Sequence, residues 1–227
     1  MPSTLTHTGS VQFRTLLADG EVKIARDLTL KTDLADGSGT GQANLYWSGT
    51  LSLNAAASTT LDVSLLESVI FGSLVYASPA SIKSLTIRNT SPGATVRVEP
   101  GATNGWSQIP GHNVGKSGVA IHYAPVDGLP VTASSRTVKF TNNATAISAT
   151  GATTNGSAAV TGLASTASMV AGMAVSGTGI PAGTTVASIT SGTAITLSTP
   201  ATATGASVAL TVQWVALVEI YVVGVRA

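Results

Sequence analysis

Three histidines, His7, His112 and His122, are the only imidazoles in the chain, and cysteine is absent. A metal centre assembled from local sequence needs donors at short fixed spacing, as in HxH or HExxH. Neither pattern occurs, and no carboxylate lies within four residues of any histidine. A site built in space, for instance where copies of one histidine meet on a symmetry axis, is left open by this reading. Alternation in VAIHY sets His122 opposite Ile121 and Tyr123, which predicts that it points away from the core. The carboxylates Asp19, Glu21, Asp27, Asp33, Asp36, Asp62, Glu67, Glu99 and Asp127 are scattered over loops and polar strand positions. Paired acids could act on a glycosidic bond at any sequence separation, yet nothing singles out two of them. Solvated surface charge is the plainer reading.

Other chemistry is equally unmarked. There is no GxSxG elbow to expose a serine nucleophile. SGTGIPAG (176–183) places Gly177, Gly179 and Gly183 in a pattern that superficially suits a dinucleotide. The fingerprint requires a helix directly after it and an acid further on. Here Pro181 interrupts, a strand-like TTVASI follows, and the next acid is Glu219, so a structural turn is predicted. The triplets at Asn89, Asn143 and Asn155 match the glycosylation pattern, but such triplets arise by chance in a chain rich in Ser and Thr. No catalytic, cofactor-binding or metal-ligating residue is assigned, no cofactor is expected, and the chain reads as non-enzymatic.

The elements that would have to position any such site are strands. Leu45, Trp47, Leu51 and Leu53 share one parity against Tyr46, Ser48, Thr50 and Ser52. The same period of two runs through Leu61/Val63/Leu65, Leu85/Ile87, Val96/Val98, Val119/Ile121/Tyr123, Val138/Phe140 and Val218/Ile220/Val222. Clusters such as SPG (91–93), PGATNG (100–105), PGHNVG (110–115) and PVDGLP (125–130) punctuate them as turns. No segment keeps a helical period, although Ser165–Met173 has room for a turn or two. The expected fold is all-β, a jelly-roll-like β-sandwich. Residues 1–42 are less regular and suggest an edge strand around Val22–Leu30, within either an extended arm that orders on neighbouring subunits or a loose terminus.

Charge is distributed unevenly. From Phe140 to Val218 there is no Asp, Glu, Lys, Arg, His, Tyr or Cys, which removes acid–base, thiolate and phosphate-binding lysine chemistry from that stretch. Candidate strands within it are Ala158–Thr161, Met173–Ser176, Thr184–Ile189, Ala194–Ser198 and Ser207–Val212. We expect 142–213 to be a small β module inserted into a first domain made of 1–141 plus 214–227. RTVKFTNN (136–143) and ALVEIYVVG (216–224) are then expected as neighbouring strands of that domain. The alternative is one continuous β domain followed by a C-terminal one. A formal net charge of +1 in 227 residues offers no basic field for nucleic acid. The most apolar run, Trp214–Val225, is about a dozen residues and too short for a spanning helix, so no membrane partner is expected. MPSTLTHTGS has no signal-peptide character.

Two stretches resemble a known group. The segment 162–212, with GMAVSGTGIPAGTTVASI followed by AITLS, looks like a small β module found in virion proteins of tailed double-stranded DNA phages. LTIRNTSPGATVRV, GVAIHYAPVDGLPVTASSRTVKFTN and VEIYVVG are similar to jelly-roll-like phage structural proteins, among them cement proteins that trimerise on capsid surfaces. The resemblance implies a capsid decoration protein on the virion surface, made in the bacterial host cytoplasm, with the major capsid protein as partner and a homotrimer as its form. The alternative is a tail-fibre or receptor-binding protein, in which exposed Trp47, Trp106 or Tyr123 would meet host glycan. A virion-associated glycan hydrolase is the enzymatic competitor.

Overall fold

The computed structural model describes residues 4–16, 22–70 and 73–227. The chain is all-β, and its described residues contain no helix. Strands run in the order β1 (Thr4–Leu16), β2 (Val22–Asp36), β3 (Gln42–Ala43), β4 (Leu45–Leu53), β5 (Ser58–Asp62), β6 (Leu66–Ile70), β7 (Ser73–Ala77), β8 (Pro79–Asn89), β9 (Val96–Pro100) and β10 (His112–Val114). They continue as β11 (Val119–Tyr123), β12 (Leu129–Pro130), β13 (Thr137–Asn142), β14 (Ile147–Thr153), β15 (Ala159–Val160), β16 (Ala174–Gly177), β17 (Val186–Ser191), β18 (Ala194–Leu197), β19 (Gly205–Gln213) and β20 (Ala216–Arg226).

Two antiparallel sheets form the body. One has the order β11-β8-β20-β4, with β12 also on β8; the other is β10-β9-β13-β5. They share a single core. Leu85, Ile87, Val218, Ile220 and Val222 of the first sheet meet Val96, Val98, Val138 and Phe140 of the second, with Trp106 closing the interior. The alternation read from sequence explains this along β4, β9 and β13, where buried residues alternate with more exposed ones, whereas β8 over 82–85 and β20 over 222–225 are buried on both parities.

Residues between β13 and β20 build a second core. β14-β19-β16 and β15-β18-β17 are small sheets that pair only with one another's members, around Val160, Leu163, Met173, Val175, Ile195, Leu197, Leu210 and Val212. β20 pairs along its length with β4 and β8. The expectation that 136–143 and 216–224 are neighbours is corrected: β13 and β20 lie in different sheets of the body. The 142–213 block therefore leaves from one sheet and returns to the other.

The seam between the cores has two fixtures. Trp214 packs against both clusters, and its ring occupies the space a Cβ at Gly93 would need. Asn142, fully buried, donates from Nδ2 to Leu53 O at 3.0 Å and Trp214 O at 2.9 Å, and accepts from the Ala144 N–H at 2.9 Å. One side chain thus ties the departing strand to the returning one.

Other expectations shift in detail. β2 is longer than the edge strand anticipated and lies between β1 and β3. β14 was not among the candidate strands. Leu65 is 49% exposed because the chain turns at 63–65, placing Leu66 in the core instead. Around 165–173 the chain makes turns only, with Ser165 Oγ accepting from the Ala167 N–H.

Candidate functional site

Two of the three histidines come together. β10 and β11 are edge strands of opposite body sheets. His112 stands directly across from buried Val98 and His122 from buried Leu85. Both positions therefore face inward, and the ring centroids are 5.0 Å apart at 52°. This corrects the outward placement of His122. Ala120 and His122 form the inner parity of β11, while Val119, Ile121 and Tyr123 share the outer one, opposite Arg88, Thr86 and Ser84. The error came from assigning the apolar parity to the core on an edge strand whose outer face is itself apolar.

His112 Nδ1 lies 2.8 Å from Pro110 O, so in the neutral ring Nδ1 carries the proton and Nε2 is the basic nitrogen. Nε2 of both rings is buried without a hydrogen-bond partner among the described residues. Burial holds the His122 pKa below the ordinary histidine value, and the nearby His112 lowers it further. Burial thus favours the neutral imidazole at His122, and the two rings together close the open side of the paired sheets. Among the described residues no group of three or more His, Cys, Asp or Glu is placed to hold a metal ion. His7 lies on β1, where its backbone pairs with Thr32.

The carboxylates are placed as follows. Asp19 and Glu21 fall outside the described residues, and Asp27 and Asp33 lie on β2. Asp62 is engaged by Arg136 at 2.9 Å. Glu99 lies 3.3 Å from Arg97 and 3.3 Å from Lys139, and hydrogen bonds from these two cations hold its pKa below the usual carboxylate range. Glu219 takes Arg88 at 3.2 Å and the Tyr221 hydroxyl at 3.0 Å, a bond that raises the Tyr221 pKa. Lys139 stands opposite Glu99 and Glu219 opposite Arg88, so these two pairs join neighbouring strands, while Arg97–Glu99 and Tyr221–Glu219 lie along single strands. The cross-strand pairs are fastenings of the body.

The aromatics proposed as glycan contacts are mostly interior. Trp106 is fully buried and donates its indole N–H to Pro130 O at 2.8 Å. Trp47 is 7% exposed and donates to Glu67 O at 2.8 Å. Tyr123 is half-buried on the outer face of its sheet. In the block, Gly179 and Gly183 have φ of +74° and +79°, the left-handed turn geometry that glycine permits. A groove of about 740 Å³ beside β14 and β19 is lined by Ser148, Thr150, Ser207 and Thr211 among Ala and Gly, with no ionisable side chain.

What the sequence reading missed are buried polar residues that hold loops. Asn89 donates from Nδ2 to Ala94 O and Gly115 O at 2.8 and 2.9 Å, and accepts from the Ser91 N–H at 3.1 Å. Lys83, 2% exposed, donates from Nζ to Val126 O at 2.6 Å, pinning the PVDGLP loop. The position of Asn89 before SPG was the available signal, because Asn readily bonds to backbone two residues on. Lys83 gave none.

The exposed apolar surface lies elsewhere. β6 pairs with β7 alone, and in that hairpin Leu74, Val75 and Tyr76 are 52%, 42% and 45% exposed. The outer face of the five-stranded sheet adds Tyr46, Val119 and Leu217. Compared with known proteins, the chain matches no family model, no curated sequence and no solved structure.

Proposed function

We propose that this chain is a non-enzymatic capsid decoration protein, which binds the outer surface of a phage head and fastens neighbouring capsomers through its contact with the major capsid protein. The observation that carries the reading is the β6–β7 hairpin. A two-stranded hairpin alone is marginal in water, and adjacent residues of a strand face opposite ways. Consecutive Leu74, Val75 and Tyr76 are all exposed, so β7 presents uncovered apolar side chains to both sides, while Leu66 at the start of β6 anchors the hairpin in the core. Such a projection suits permanent burial by a neighbouring protein. The resemblance of 162–212 to a phage virion module points to the kind of neighbour, and a jelly-roll-like body on a homotrimer is the form this reading implies. Elsewhere in the body, ion pairs and buried amides fasten strands and loops, a construction that suits a scaffold.

The test is stoichiometry and binding. In purified virions the chain should approach the copy number of the major capsid protein, and Leu74→Lys with Tyr76→Glu should abolish its binding to capsids stripped of it. Presence in tens of copies per particle would overturn decoration in favour of the tail-fibre reading. Loss of a glycan-cleaving activity on removal of one acidic pair would overturn it in favour of an enzyme.

A further inference from the structure

One side of the sandwich is closed by two imidazole rings. β10 is the outermost strand of one body sheet and β11 of the other. His112 stands across from Val98 and His122 from Leu85, both apolar and buried. The rings meet over that interior with centroids 5.0 Å apart, and neither Nε2 has a hydrogen-bond partner although both are buried. An imidazolium must donate from both of its nitrogens, and here Nε2 meets no acceptor. A proton added to this contact is therefore a buried charge without a partner, the costliest kind of polar burial.

The surrounding charges do not offset it. On β9, Arg97 and Glu99 take the parity opposite to inward Val98, and Glu99 is already held by Arg97 and by Lys139 of β13. The Arg97 guanidinium lies against Gly111, so the charge brought beside the turn before His112 is itself a cation. On β8, Arg88 takes the outer parity and pairs with Glu219 of β20, while Lys83 gives its Nζ to Val126 O. Lys116 and Asp127 lie on exposed turns after β10 and β11. The strand able to yield is β10, which has three residues and pairs only with β9, whereas β8 holds β11 over five. Buried Ile109 fixes one end of the segment. The other is fixed where Asn89 Nδ2 donates to Val114 O and Gly115 O at 3.3 and 2.9 Å. Residues 110–113 are left between these anchors.

We propose that the His112–His122 contact is an acid-operated latch: a proton taken up at His122 drives residues 110–113 away from β11 and opens this side of the sandwich, while the rest of the body stays folded. One imidazolium lacks an acceptor there, and two would repel across apolar packing; admitting water relieves both. Burial and the neighbouring His112 hold the closed His122 pKa below the ordinary value, so the open form binds the proton more tightly. The latch is closed above about pH 6.5 and opens as pH falls below it. The device belongs to the fold and stands independently of the capsid reading.

The chain has no cysteine, so spin labels attach only where cysteine is introduced. Asn113→Cys with Val119→Cys, both at exposed positions, puts one label on each edge strand, and pulsed EPR of the full chain reads the distance between them. At pH 7 one separation should be found. At pH 5 a second population should appear, longer by about 5 Å or more, half the spacing of packed sheets, and should vanish on return to pH 7. Strand content by circular dichroism should stay the same throughout. In His122→Phe, which keeps an aromatic ring but takes no proton, and in His122→Gln, the short separation should persist at both pH values. An unchanged distance in the parent at pH 5 overturns the latch, as does an opening that persists in both variants. Loss of the strand signal together with the longer distance would mean general acid unfolding, and would overturn it as well.

Discussion

The body and the 142–213 block are both β structures with well-filled cores, yet they satisfy polar groups by different chemistry. In the body, neighbouring strands are fastened by ionised side chains: Arg136 to Asp62, Lys139 to Glu99 and Arg88 to Glu219. The block uses hydroxyls on backbone carbonyls. Thr166 Oγ1 donates to Ser191 O at 2.8 Å, Thr184 Oγ1 to Pro181 O at 2.7 Å and Thr153 Oγ1 to Ala203 O at 3.0 Å. Aromatic bulk divides in the same way, with Trp106 and Phe140 inside the body and aliphatic residues and methionine inside the block. A hydroxyl–carbonyl bond is short, neutral and insensitive to salt, whereas exposed ion pairs contribute little and are screened. The block's freedom from charge is thus a construction method, and its stability should be indifferent to conditions that alter the body.

The sharpest test removes the largest buried side chain of the body. Trp106→Ala should cost about 3–5 kcal/mol, because it leaves a cavity and deprives Pro130 O of its donor. Thermal unfolding followed by calorimetry should show the body's transition lowered while a transition from the block stays in place. Equal lowering of all unfolding signal would mean that the two cores unfold as one unit. Asn142→Ala acts at the seam, where three hydrogen bonds are lost, and should cost about 2–3 kcal/mol. Its effect should appear in both regions. A change confined to the body would show that Asn142 does not couple them.

Much of this division was legible in the sequence. Alternation at Leu45–Leu53, at Leu85/Ile87 and at Val218/Ile220/Val222 named the core faces that the body buries, and the charge-free interval marked the second core. Two kinds of information were not legible. Alternation gives parity but not side, so VAIHY was assigned inside out where an edge strand exposes Val119 and buries His122 against its sheet. Nor does strand rhythm say which strands pair, and β13 and β20, both strongly alternating, proved to belong to opposite sheets. The His112–His122 meeting depends on β10 pairing with β9 and β11 with β8 at the edges of opposite sheets. Asn142 stood in the sequence only as the place where composition changes; its three bonds exist because two chain crossings meet there.

A smaller effect probes the block's own chemistry. Thr166 is 4% exposed, and Thr166→Val keeps its shape while removing the donor to Ser191 O. The cost should be about 1–2 kcal/mol, should fall on the block's transition, and should not change between low and high salt. A salt-dependent loss would break the contrast drawn with the body.

The smallest effect separates the regions by pH. His122 sits in the body with its pKa depressed by burial and by His112, whereas the block has no titratable side chain. In the unfolded chain a histidine titrates near 6.5, above its folded value, so the unfolded state binds more protons as pH falls through that point. The contribution is present above about pH 6.5 and is lost as pH drops toward the folded pKa. Glu99, also depressed, loses its contribution only below the ordinary carboxylate range, so a series between pH 7 and 5 isolates the histidine. The body's melting temperature should decline across that window, His122→Gln should flatten the decline, and the block's transition should stay level. A block transition that moves with the body's would show that the seam at Asn142 and Trp214 transmits the proton's effect, and the two cores would then have to be treated as one cooperative unit.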